Sequence, residues 1–222
     1  MERSQLRLEK SNELVMKNIM LSGPDGTGKS TIANAIIYRL NESNNEISHV
    51  WLRFNHYLAK FINMFGRLTG KSYYETYSWG KLGYHDYTGI IGFFYIIAVY
   101  IDHLIFNIFL RKRHLKSNKN YLIDRFIIDI IADLIVDTNR SKMLFFLFAP
   151  FLKKELKLAH AFILKCDKEI VVSRRKDILD DKSYDAKILA YKLIAARFNI
   201  TTVDSGQLSI EESVNKIISA VS

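Results

Sequence analysis

Five short apolar segments punctuate the chain: Asn18 to Ser22, Ser48 to Arg53, Tyr121 to Asp124, Ala161 to Cys166 and Ile200 to Asp204. Between them, apolar residues return every three or four positions, the spacing of helices with one buried face. Ile32, Ala33, Ala35, Ile36, Ile37 and Leu40 follow the first segment in this way. Strands alternating with long helices predict an α/β domain, a parallel sheet covered by helices on both faces. A closing helix is expected from near Ser209, where Ser209, Glu211 and Glu212 suit a helix N-terminus. Its apolar stripe would be Val214, Ile217, Ile218 and Val221. Met1 to Lys17 is polar and charged, an N-terminal extension ahead of one domain at 18–222.

One stretch breaks this rhythm. Ile90 to Leu110 is almost continuously apolar and is followed by Arg111, Lys112 and Arg113, which imitates a membrane span with a cytoplasmic flank. Asp102, His103 and Asn107 interrupt it at a cost in lipid, and it lies between strands that must reach one sheet. The expectation is a helix buried in the domain or at a homodimer interface. Met143 to Leu152 is also very apolar, which leaves room for an exposed patch that dimerises or touches a membrane.

Composition narrows the setting more than the chemistry. A length of 222 residues suits one domain, and two prolines with ten glycines leave no visible linker. Cys166, the single cysteine, cannot form an intrachain disulfide, so a reducing, cytoplasmic setting is expected. The net charge of +9 fits phosphate-bearing ligands, but it fits nucleic acid or an anionic membrane equally well. The densest basic cluster, Arg111, Lys112, Arg113, His114, Lys116 and Lys119, reads as a solvated connection, with a phosphate or membrane patch as the alternative.

The chemistry enters at residues 23 to 31, Gly-Pro-Asp-Gly-Thr-Gly-Lys-Ser-Thr, a complete G-x-x-x-x-G-K-[ST] phosphate loop between a short strand and a helix. Gly23, Gly26 and Gly28 allow the backbone to curl until successive N–H groups converge on phosphates, and the helix adds its positive end. Asp25 and Thr27 complete the loop. Lys29 is placed for the β/γ-phosphates and Ser30 for Mg²⁺, with Thr31 one residue further into the helix. ATP and Mg²⁺ are the implied cofactors. A second motif points to transfer: Tyr121, Leu122 and Ile123 end in Asp124 and Arg125, then Phe126. A carboxylate ending a core strand beside a phosphate loop suits Mg²⁺ or its water. The neighbouring arginine could fork onto an acceptor phosphate.

Together these motifs resemble the thymidylate kinase family of nucleoside monophosphate kinases. The phosphate loop is similar to the family's, and Asp124-Arg125-Phe126 is similar to its Asp-Arg-Tyr. The resemblance implies the three-layer P-loop fold with a five-stranded parallel sheet, a homodimer and a small phosphorylated acceptor; nucleic acid and membrane are not the expected partners, the apolar segment 90–110 aside. It also implies that Arg53, followed by Phe54, and Arg125 hold the acceptor, that Asp25 faces the acceptor sugar or the lid, and that Arg174 or Arg175 closes over the transferring group. Residues 164–170, 191–195 and 203–204 resemble the family's later elements. The chain departs from the family where the base is read. Tyr100 and Asp102 stand where an arginine and a glutamine are expected before His103, and Asp129 replaces a serine. These departures weigh against thymidine monophosphate as the acceptor.

Asp129, Asp133 and Asp137 recur every four residues and so share one helix face. They read either as a polar outer face or, for Asp129, as a partner for acceptor hydroxyls. The leading expectation is ATP-dependent transfer to a nucleoside monophosphate. The alternatives are a kinase of the same fold acting on a non-nucleotide acceptor such as a sugar derivative, and a P-loop ATPase or binding module for nucleic acid or membrane.

Overall fold

The computed structural model describes residues 18–43, 47–51, 57–113 and 120–221. The extension at 1–17, Arg53 and Phe54, and the part of the basic cluster at 114–119 lie outside the described residues. The strands are β1 (Asn18–Ser22), β2 (Ile47–Trp51), β3 (Ser72–Tyr77), β4 (Gly80–His85), β5 (Asn120–Asp124), β6 (Ala159–Lys165) and β7 (Thr201–Asp204). The helices are α1 (Lys29–Glu42), α2 (Leu58–Leu68), α3 (Gly89–Arg113), α4 (Ile127–Thr138), α5 (Ser141–Leu158), α6 (Lys168–Arg174), α7 (Tyr184–Phe198) and α8 (Ile210–Val221).

Five strands form a parallel sheet in the order β2-β5-β1-β6-β7. Alternation along β1 sets the layers, because successive side chains point to opposite faces of a sheet. Ile19 and Leu21 join one core with Ile32 and Ile36 of α1 and Val214 and Ile217 of α8. Met20 joins the other, with Ile96 of α3, Ile131 of α4, Phe148 of α5 and Ile194 of α7. Each such side chain, fully removed from water, contributes about 1.5–3 kcal/mol before conformational entropy is counted. The register pairs Leu21 with Asp124, so the segments leaving β1 and β5 emerge side by side at the carboxyl edge.

The expected strands are present, with ends shifted by one or two residues. The closing helix starts at Ile210, and Ser209 and Glu212 cap it reciprocally: Glu212 N–H donates to Ser209 Oγ at 3.2 Å, and Ser209 N–H donates to Glu212 Oε2 at 2.8 Å. Two features were not anticipated. β3 and β4 form a separate antiparallel hairpin, which docks on the 3₁₀ turn Lys176–Asp180. Tyr77 OH and Tyr84 OH donate to Asp180 O at 3.0 and 3.2 Å, and Trp79 Nε1 donates to Asp180 Oδ2 at 2.6 Å. The second concerns α3, expected to be buried in the domain or at a homodimer interface, which the domain itself covers only in part. Only 39% of its most apolar 18-residue window is buried, because just one face meets the domain. α3 also runs through Arg113, so the start of the basic cluster is helical, not a loop.

Candidate active site

The turn from β1 into α1 needs its glycines. Gly23 has φ 144°, and a Cβ there would fall 2.4 Å from Leu164 O. Gly26 has φ 82°, and its Cβ would fall 2.3 Å from Val171 Cγ1, so a side chain at either position would push the loop off β6 or α6. Gly28, also left-handed at φ 83°, is the N-cap of α1; no side chain caps the helix and no acidic residue occupies its first turn. The N–H groups of that turn have no acceptor within the helix, and a bound anion would satisfy them. Ser30 and Thr31 are exposed at this end.

Lys29 is buried and folds back over the loop, its Nζ donating to Gly23 O at 2.6 Å and Pro24 O at 2.8 Å. Desolvation pulls its pKa below the usual lysine range, against the attraction of Asp129, Asp25 and Asp124. Thr27 holds the loop from inside, donating to Pro24 O at 2.8 Å, and Ser205 Oγ donates to Thr27 O at 2.6 Å. Across the crevice, Asp124 is buried with Oδ1 lacking a hydrogen-bond partner among the described residues, and His49 Nε2 lies 3.9 Å from Oδ2. Burial raises the Asp124 pKa, opposed by Lys29 and Arg125.

Arg125 follows with φ 59°, a left-handed conformation rare outside glycine, stabilised by its N–H bond to Leu21 O at 3.2 Å. The twist turns its guanidinium onto Asp25, and the two form an ion pair. Burial works to raise the Asp25 pKa, but Arg125 and Lys29 outweigh it and hold the carboxyl below its ordinary range. Asp25 is thus tied to the loop's cations, and its backbone oxygen accepts from Tyr184 OH at 3.1 Å.

Beside the loop lies a cavity of about 470 Å³. Gly23, Pro24 and Asp25 form its phosphate-loop side, Tyr84 and His85 of the hairpin its opposite wall. Arg125, Asp129, Asp133 and Asp137 run along its floor, flanked by Lys187 and Tyr191 of α7. The acidic stripe thus lines an open cavity: Asp137 is half-buried and Asp133, in its middle, stays exposed to solvent, as the polar-face reading expects. Asp129 is buried at its inner end, saturated by Ser22 Oγ at 2.8 Å, Phe126 N–H at 3.1 Å and Tyr191 OH at 2.7 Å. Asp133 and Asp137 make no side-chain hydrogen bond among the described residues. Although Asp133 is exposed, the protein atoms packed around it push its pKa up to about 6, and burial with the neighbouring Asp133 raises Asp137 well above the usual carboxylate range. Lys187 is paired with Asp181 at 2.9 Å.

The remaining expected site residues separate. Arg175 runs over the loop, its Cδ 3.8 Å from where a Gly26 Cβ would be, and pairs with Asp177. Arg174 turns the other way, donating to Ser205 O at 3.2 Å. Tyr100 and Asp102 need correction as base contacts. Tyr100 packs edge-on against Phe148 and Phe151. Asp102 is 1% exposed and caps α2, accepting from the N–H groups of Tyr57, Leu58 and Ala59 at 2.9 to 3.0 Å. Neither lines the cavity. The hairpin residues Tyr84 and His85 were missed in sequence; the Tyr77-Ser78-Trp79-Gly80 turn between tyrosine-rich runs was the available signal.

Among the described residues no three His, Cys, Asp or Glu side chains gather into a metal cage. The donor set fits Mg²⁺ nonetheless, since that ion commonly takes one carboxylate with waters and phosphate oxygens, and Asp124 Oδ1 and the Ser30 hydroxyl offer themselves. No protein-family model matches the chain, and no characterised protein matches it in sequence.

Proposed function

We propose that the chain is a P-loop kinase that moves the γ-phosphoryl group of ATP onto a small acceptor, akin to the thymidylate-kinase-like nucleoside monophosphate kinases. The observation that carries the reading is the uncapped N-terminus of α1 beneath Gly23–Gly28, with Lys29 Nζ folded into the loop and Asp124 Oδ1 across from it unpaired among the described residues. In this reading the loop amides and the Lys29 ammonium hold the phosphates. Ser30 and Asp124 would hold Mg²⁺, which supplies charge neutralisation when bound. Arg175 approaches from above the loop and Arg125 from the acceptor side. An acceptor oxygen forms its bond to the γ-phosphorus as the bond to ADP breaks, and the protein's contribution is alignment and charge.

For the acceptor, the resemblance implies a nucleoside monophosphate, with Arg125 receiving its phosphate. A second reading is favoured by one observation. Asp133 and Asp137 line the cavity without a side-chain hydrogen bond among the described residues, whereas Asp25, Asp129 and both cations, Arg125 and Lys187, are already paired. That balance suits an acceptor bearing hydroxyl or amino groups, such as a sugar derivative, better than a second phosphate. A coupled ADP-release assay with Mg·ATP tests both readings across nucleoside monophosphates, sugars and amino sugars. Fast ADP formation is expected only with the right small acceptor. Turnover driven by polynucleotide without an acceptor would replace the kinase reading with an ATPase.

A further inference from the structure

α2 and α3 pack against each other, and each keeps an apolar stripe in water. On α2 the stripe is Phe61, Met64, Phe65 and Leu68, the last 80% exposed. On α3 it is Ile90, Phe94, Ile101, Ile105 and Ile108, which recur at helical spacing along nearly its whole length. The opposite side of α3 is the protein's interior, with Ile96, Val99 and His103 buried and Asp102 capping α2. The helix is therefore long and apolar enough to cross a bilayer, at 20 residues and a mean hydropathy of 2.0, yet its inward face is committed to the domain. Such a helix can lie along a membrane but not through it.

Charge decides between a membrane and a second copy. α2 carries Lys60 and Arg67, both exposed, and no carboxylate. The single carboxylate of α3 is the buried Asp102, so neither helix exposes an acidic side chain. A second copy seated on this face would set Lys60 and Arg67 against a surface whose two helices expose no carboxylate. Lipid phosphates would answer them directly. We propose that α2 and α3 are the face by which this protein docks on an anionic lipid bilayer, the two apolar stripes entering the boundary between headgroups and acyl chains.

The full chain is mixed with vesicles of phosphatidylcholine alone or with added phosphatidylglycerol, and the bound fraction is read by flotation. Binding is expected on the anionic vesicles, weakening as salt rises and absent on neutral ones. A Phe61→Ser/Phe65→Ser variant and a separate Ile101→Ser/Ile105→Ser variant should each bind about tenfold less, with thermal unfolding as the check on folding. The wild-type lipid and salt comparison stands even if one variant fails to fold. Absence of binding to anionic vesicles overturns the proposal. So does binding that both folded variants retain, or a dimer in solution that these substitutions dissociate while vesicles are ignored.

Discussion

The Tyr191 hydroxyl donates to Asp129 Oδ1 at 2.7 Å, fastening α7 to α4 inside the protein just behind the phosphate loop. The other oxygen of Asp129 receives Ser22 and the Phe126 amide, so one carboxylate joins the end of β1, the start of α4 and α7. Asp129→Ala strands three buried donors and should destabilise the fold by about 2–4 kcal/mol, with Asp129→Asn milder. Urea titrations of both variants check this. Equal stability of Asp129→Ala and wild type would show that the network is dispensable.

Lys29→Ala should lower ATP turnover by at least about a hundredfold while the melting temperature stays within about 4 °C, because the ammonium serves phosphate charge more than packing. A folded variant with undiminished turnover would remove the kinase assignment.

Arg125→Ala should raise the acceptor KM by about tenfold or more and leave ATP affinity within about twofold. Isothermal titration with ATP, beside steady-state kinetics, separates the two. If ATP binding collapses instead, the Asp25–Arg125 pair belongs to the nucleotide side of the site.

Asp133 gives a pH signature. Its carboxyl is raised from 3.8 to about 6 in the folded protein, so its contribution favours folding below the lower value and is lost as pH rises through the upper. Asp133→Asn should therefore stabilise the protein by about 1 kcal/mol above that window and by nothing in acid, solvent in the cavity screening the full effect. Denaturant midpoints across this range read it out; a gain that does not vary with pH would reject the assignment.

Asp102→Ala removes the cap of α2 and should cost about 1–2 kcal/mol. Asp102→Asn should leave the relative kcat/KM of competing acceptors unchanged, since the side chain does not reach the cavity. A change in acceptor preference would return Asp102 to the binding site.

Much of this protein was legible in one dimension because the signals were local. The spacing of Gly23, Gly26, Gly28 and Lys29 dictates a loop that only a strand and a helix can flank. Alternation of apolar segments with helical stretches dictates a covered parallel sheet. Ser209 and Glu212 announce their helix from three residues apart. What the tertiary structure decided is which way side chains point once distant elements meet. Asp129, Asp133 and Asp137 share a helix face in any register, but only the packing of α7 and the β3–β4 hairpin makes that face a cavity floor. Asp102 became a cap because α2, more than forty residues earlier, presents its free amides there. The hydrophobicity of α3 was plain in sequence, whereas its half-exposure was not, since composition counts apolar residues without saying which neighbour covers them.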